Sequence, residues 1–159
     1  MSPPKKSRPE QVSATTTSDH LSSQERRYRT GIHEVGHAVV LRHFGYAVDK
    51  IIINDDSGEC LSTQFDAALE RGGAQVGRQA VAVALAGRVA VEEFFGNDKE
   101  YWVSCITDTG TLNYGLEEME GSVDDANIIS EEVKEIIRAH KDEVEREARV
   151  LTCKPAVKP

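Results

Sequence analysis

Sulfur is sparse in this sequence and does not pair. Cys60, Cys105 and Cys153 are the three cysteines, an odd number with no C-x-x-C spacing. That excludes a disulfide framework and fits reduced thiols in a cytoplasmic protein. No apolar segment follows the N-terminal MSPPKKSRPEQ, so no secretory signal is expected. The longest apolar stretch, QAVAVALAGRVAV, is broken by Arg88 and falls short of the roughly 20 apolar residues a membrane span needs. Positive charge is in the minority, 19 Lys and Arg against 27 Asp and Glu, for a net charge of −8. This argues against a nucleic-acid surface, which shows a basic face. No G-x-x-x-x-G-K-[ST] phosphate loop occurs, so the chain carries no ATPase module.

What is present suits a single α+β domain of 159 residues. Residues 1–22, rich in Pro, Ser, Thr and Lys, are expected to be a disordered tail. Residues 23–152 form the domain, and 153–159 a flexible C-terminal tail. Ser22 and Glu25 have capping-box spacing. Ile32, Val35, Val39, Val40 and Phe44 then recur with helical period up to Gly45, a C-terminal stop. Two β-prone runs, Lys50–Ile53 and Glu59–Phe65, flank a turn at Asp55-Asp56-Ser57-Gly58 and predict a hairpin. A second helix is expected from Ala74 to Phe95, with small apolar residues on all sides from Ala80 to Gly87, the mark of a buried helix. Residues 97–121 mix aromatic residues and glycines and give no clear element. A third helix is expected from Asp124 or Asp125 to Leu151, with a break near Ser130.

Histidine is scarce as well: five in the chain, three of them between positions 33 and 43. The stretch GIHEVGHAVV spaces His33 and His37 four apart, with Glu34 directly after the first. On a helix, i and i+4 share a face, so both imidazoles can bind one ion. This is the H-E-x-x-H arrangement, with two zinc histidines and a glutamate as general base toward a metal-activated water. His43, six past His37, points elsewhere. Gly36 is costly inside a helix, by about 1 kcal/mol relative to alanine, so a close neighbour should need its small size. A catalytic zinc takes three protein ligands. The third lies outside the motif, among the downstream acidic residues, His20 or His140.

HEVGHAVV resembles the zinc helix of the FtsH family of ATP-dependent zinc metalloproteases. The likeness extends in order through AVDKIIINDDSGECLSTQF, LAGRVAVEEFFG, GSVDDANII and SEEVKEIIRAHKDEVEREARVL. It implies a zincin-like peptidase domain, one Zn2+ per chain, His33 and His37 as zinc ligands and Glu34 as the base. It places the third ligand at Asp125, four past Gly121, with Asp124 as a neighbouring partner. Asp108 is a rival, nearer the family's spacing from Gly96. Glu92 matches a family glutamate that would orient a histidine. Val91 departs from the pattern, and the segment after Asp125 is shorter than the family's.

The resulting expectation is a zinc-dependent endopeptidase, ATP-independent on its own, acting on peptide or unfolded protein. An extended substrate would lie along the edge strand near Cys60–Phe65, with Trp102 and Tyr114 shaping the specificity pocket. No nucleic-acid or membrane partner is expected, and a homo-oligomer or a separate partner protein is left open. Two other classes fit the same residues: a zinc-binding regulatory or peptide-binding module with little turnover, and a metal-free helix bundle.

Overall fold

The computed structural model describes residues 21–54, 57–97 and 106–153. The tail expected at 1–22 falls almost wholly outside these residues, as do Cys105, Tyr101, Trp102 and most of 153–159. In chain order the elements are α1 (Ser23–His43), β1 (Lys50–Ile53), β2 (Gly58–Leu61), α2 (Thr63–Arg71), α3 (Ala74–Phe95), α4 (Ile106–Glu118), α5 (Val123–Ala139) and α6 (Lys141–Thr152). The described part is mostly helical with one small antiparallel sheet, an α+β composition. Among the described residues no helix is long and apolar enough to cross a membrane.

Helix α1 begins as its sequence dictates. Ser22 Oγ accepts from Glu25 N and the Glu25 carboxylate accepts from Ser22 N, so two otherwise orphaned donors are satisfied. From Gly31 to Leu41 every residue is buried. Such a helix is enclosed on all sides: α3, α6 and the β-hairpin pack around it. The core joins Ile32, Val35 and Val39 of α1 to Val81, Leu85 and Val89 of α3 and to Ile129, Val133 and Ile137 of α5.

The hairpin pairs Lys50 with Leu61 and Ile53 with Gly58. Its second strand is shorter than the Glu59–Phe65 expected. Ser62 turns the chain into α2, because its Oγ accepts from Phe65 N at 3.2 Å and donates to Ala47 O at 2.6 Å. Asp49 Oδ2 reinforces the turn by accepting from both the backbone N and the Oγ1 of Thr63. The polar alternation of Ser62 and Gln64 is therefore a helix cap and an anchor for the preceding loop, with Gln64 accepting from Ala47 N.

Two further expectations are corrected. The unassigned stretch 97–121 contains α4, and the C-terminal helix breaks at His140 rather than Ser130. His140 leaves helical geometry (φ −114°, ψ 20°), and its Nδ1 donates to Ile136 O at 2.9 Å. The bend turns α6 back onto α1, where Val144 and Ala148 are buried and Arg42 makes a two-pronged ion pair with Glu147 at 2.7 and 2.9 Å.

Gly36 has the tight neighbour its cost implied. A Cβ there would lie 2.6 Å from Ala90 Cβ and 2.9 Å from Ala86 O on α3. The backbones of α1 and α3 thus cross without intervening side chains. Gly36→Ala is expected to destabilise the protein by about 1–3 kcal/mol in urea unfolding, since overpacking outweighs the gain of about 1 kcal/mol in helix propensity. A stabilised variant would mean the crossing has room to spare.

Candidate metal centre

Helix α1 carries His33, Glu34 and His37 at its buried centre, 6%, 7% and 6% exposed. Three polar side chains so enclosed need partners, and one of them, His37, finds its partner across the α1–α3 crossing. His37 Nδ1 donates to Val83 O at 2.6 Å. That bond assigns the proton to Nδ1 and leaves Nε2 with its lone pair facing inward. One turn further along α3 lies Gly87, where a Cβ would fall 2.5 Å from His33 Nε2. The small-residue stretch of α3 thus offers a carbonyl to one imidazole and bare backbone to the other.

The third group comes from α4. Asp108, in the first turn of that helix, places Oδ2 3.0 Å from His33 Nε2 and 3.3 Å from His37 Nε2. The two Nε2 atoms are 3.0 Å apart. Helix α4 is held in place at a second glycine crossing, where a Cβ on Gly77 would lie 2.7 Å from Gly115 O. The Glu118 carboxylate accepts from Gly73 N at 2.7 Å, and Tyr114 OH donates to Leu69 O.

His33, His37 and Asp108 form a group that could hold a metal ion. Their donor atoms make a triangle with edges of 3.0, 3.0 and 3.3 Å. Ligands at zinc's bond lengths in a tetrahedron are about 3.3 Å apart. Two nitrogens and a carboxylate oxygen are also the donor types zinc takes. The chemistry of the triangle points the same way: with Nδ1 of His37 committed to Val83, lone pairs converge on a point that a cation or a shared proton must occupy.

The titration of the group follows. Burial disfavours charge on His37, but its hydrogen bond to Asp108 and the charges of Asp108 and Glu34 outweigh this and raise its pKa. Burial dominates at His33, against the Asp108 hydrogen bond, and lowers its pKa. Burial works to raise Asp108, but the hydrogen bonds and charges of the two histidines hold it well below the usual carboxylate range. Of the three groups, His37 is thus the one whose surroundings favour holding an added proton. Glu34 is pushed up to about 7, chiefly by burial, with His37 opposing and Asp108 adding to the rise. Its carboxylate has no hydrogen-bond partner among the described residues. It borders a cleft of ≈ 440 Å³ that the three donors also line.

The sequence expectations divide at this point. His33, Glu34 and His37 come together as expected. Asp125 does not join them: its carboxylate accepts from Ser122 N at 2.7 Å and from Ser122 Oγ at 2.9 Å, capping its own helix. Asp108, the rival, stands in the third place. Asp124 is exposed in the first turn of α5, and Glu92 lies 3.4 Å from Arg88 of its own helix, so neither orients a ligand here. His43 is exposed against Phe44, and His20 lies outside the described residues. Two contributors escaped the sequence reading: the Val83 carbonyl and Gly87. A main-chain carbonyl leaves no trace in sequence. Gly87 could have been found by the mid-helix glycine penalty that singled out Gly36. Cys60 lines the cleft, and burial, with Glu34 adding, pushes its thiol up to about 12, so it stays protonated.

No protein family, curated protein or solved structure matches this chain.

Asp108→Ala is expected to weaken zinc binding by more than the roughly 10–100-fold typical of losing a ligand's outer partner, read by isothermal titration. Asp125→Ala should leave zinc affinity unchanged and cost about 0.5–1 kcal/mol of stability as a lost cap. The reverse pattern would restore Asp125 to the site. Because His37 is raised, zinc must displace its proton. Affinity should therefore climb as pH rises through the His37 titration, with proton uptake by buffer visible when the titration is repeated in buffers of different ionisation enthalpy.

Proposed function

We propose that this chain is a zinc-dependent endopeptidase of the FtsH-like type, hydrolysing peptide bonds without ATP of its own. The observation that carries the reading is the meeting of His33, His37 and Asp108 donor atoms within 3.3 Å of one another beside the buried carboxylate of Glu34, which has no hydrogen-bond partner among the described residues. A metal-free bundle has no use for that arrangement, because burying imidazoles and carboxylates without compensation costs stability.

Zinc held there would supply Lewis acidity to a peptide carbonyl and to the attacking water. The rest falls to the chain. Nε2 of His33 and of His37, with Asp108 Oδ2, would hold the ion. Val83 O fixes the His37 ring, and the bare backbone at Gly87 admits the His33 ring. Glu34 takes the proton of the attacking water on a carboxylate oxygen and returns it to the leaving amine. Burial raises the Glu34 pKa and so makes it a stronger proton acceptor than an exposed glutamate, while a nearby cation would draw the pKa back down.

Substrate would enter along β2. That strand pairs with β1 on one edge, and its residues Gly58–Cys60, with Ser57 just before them, line the cleft. An extended peptide laid along the cleft-side edge gains main-chain hydrogen bonds while its carbonyls pass the metal centre. The lining of the cleft includes Thr111 of α4 but not Tyr114, whose hydroxyl is spent on Leu69 O.

Glu34→Gln is expected to lower kcat on an unstructured protein substrate by roughly 10²–10⁴-fold while zinc content stays at one per chain. No turnover by either, with zinc retained by both, would instead favour a zinc-holding peptide-binding module, and equal turnover would remove Glu34 from the role of base.

A further inference from the structure

The walls of the cleft carry a charge pattern that the hydrolytic chemistry does not use. Four carboxylates line it, Glu34, Glu59, Asp66 and Asp108, and among the described residues no lysine or arginine does. Two of them belong to the metal centre: a divalent ion's charge is matched by Asp108 and Glu34 while both imidazoles are neutral. Glu59 and Asp66 are then left over. They come from different elements, Glu59 from β2 and Asp66 from the first turn of α2, and both are exposed. Neither has an ion-pair partner among the described residues. Asp66 gains something from the N-terminal end of its helix, and Glu59 is a strand residue facing water. Those roles account for each alone but not for both bordering one cavity.

Between these carboxylates part of the lining is apolar, although Thr30, Ser57, Ser62 and Thr111 make the lining as a whole more polar than apolar. Leu41, Phe65, Leu69 and Val83 form the apolar part, and Phe65 and Val83 are only 6% and 7% exposed. Glu34 faces the same space, buried and without a hydrogen-bond partner among the described residues. The cleft therefore offers an incoming chain an apolar surface for one side chain and two uncompensated negative charges beside it.

We infer that the cleft selects peptides in which an apolar residue is flanked by lysine or arginine, with Glu59 and Asp66 as the residues that read the charge. The inference rests on the cleft being the peptide site of the proposed peptidase. Exposed pairs of this kind are individually weak. Acting together, and opposing acidic peptides as they attract basic ones, they should separate the two by on the order of tenfold in affinity at low salt.

The test uses the zinc-loaded full chain and three fluorescent peptides with the same apolar centre, flanked by lysine, serine or glutamate. Binding is read by stopped-flow anisotropy before turnover, at low and high salt, and hydrolysis of the same peptides is then followed by mass spectrometry. The lysine peptide should bind most tightly and the glutamate peptide least. High salt should compress the difference. Glu59→Gln with Asp66→Asn should bring the ratio towards one with zinc content unchanged. Equal affinities, no binding, or a ratio indifferent to the double substitution would overturn the inference. Charge-ordered binding without hydrolysis would uphold it and sink the peptidase reading. Hydrolysis with equal affinities would do the opposite.

Discussion

The close crossing of α1 and α3 governs what this fold can do. Backbone meets backbone at Gly36, against Ala86 and Ala90, and only that proximity lets an α1 imidazole reach an α3 carbonyl. A bulkier pair of helices would sit 8–10 Å apart with side chains between them, and His37 would have to find another partner. The same approach sets His33 over Gly87. The third donor depends on it at one remove, because α4 packs on α3 through the Gly77–Gly115 contact and carries Asp108 to the two imidazoles.

The arrangement is costly before it is useful. Burying two histidines and a glutamate at the middle of a helix removes polar groups from water, and each must be hydrogen-bonded or neutralised. The structure meets the cost unevenly. His37 is satisfied at both ring nitrogens, His33 shares Asp108, and among the described residues Glu34 is given nothing but the cleft. The resulting rise in the Glu34 pKa is a measure of that neglect. Perturbed titration at a group facing a cavity is where acid–base chemistry is sought.

Much of this was legible in the sequence where a local rule operates alone. The capping box at Ser22 and Glu25, the stop at Gly45 and the bounds of α3 follow from short-range signals that nothing tertiary overrides. The two histidines and Glu34 follow from helical spacing. What could not be read depended on distance. Ser62 looks like one residue of an alternating strand until its Oγ is seen to cap α2 and bond to Ala47, a partner set by the fold. Asp125 and Asp108 each stand in the first turn of a helix near a glycine. Counting from Gly121 favours the former and counting from Gly96 the latter. Only the position of α4 on α3 separates them, and that is fixed by a glycine contact between helices some 40 residues apart in sequence.

The oxygen that orients His37 belongs to the main chain of residue 83. Substitution at that position exchanges a side chain and leaves the acceptor where it was. A carbonyl has a second lone pair, so it serves the imidazole while keeping its place in the helix ladder. The tautomer of the buried imidazole is thereby protected against drift in the gene. It can be lost through a change in the path of α3, such as a proline or an inserted residue, and hardly through any ordinary replacement within it.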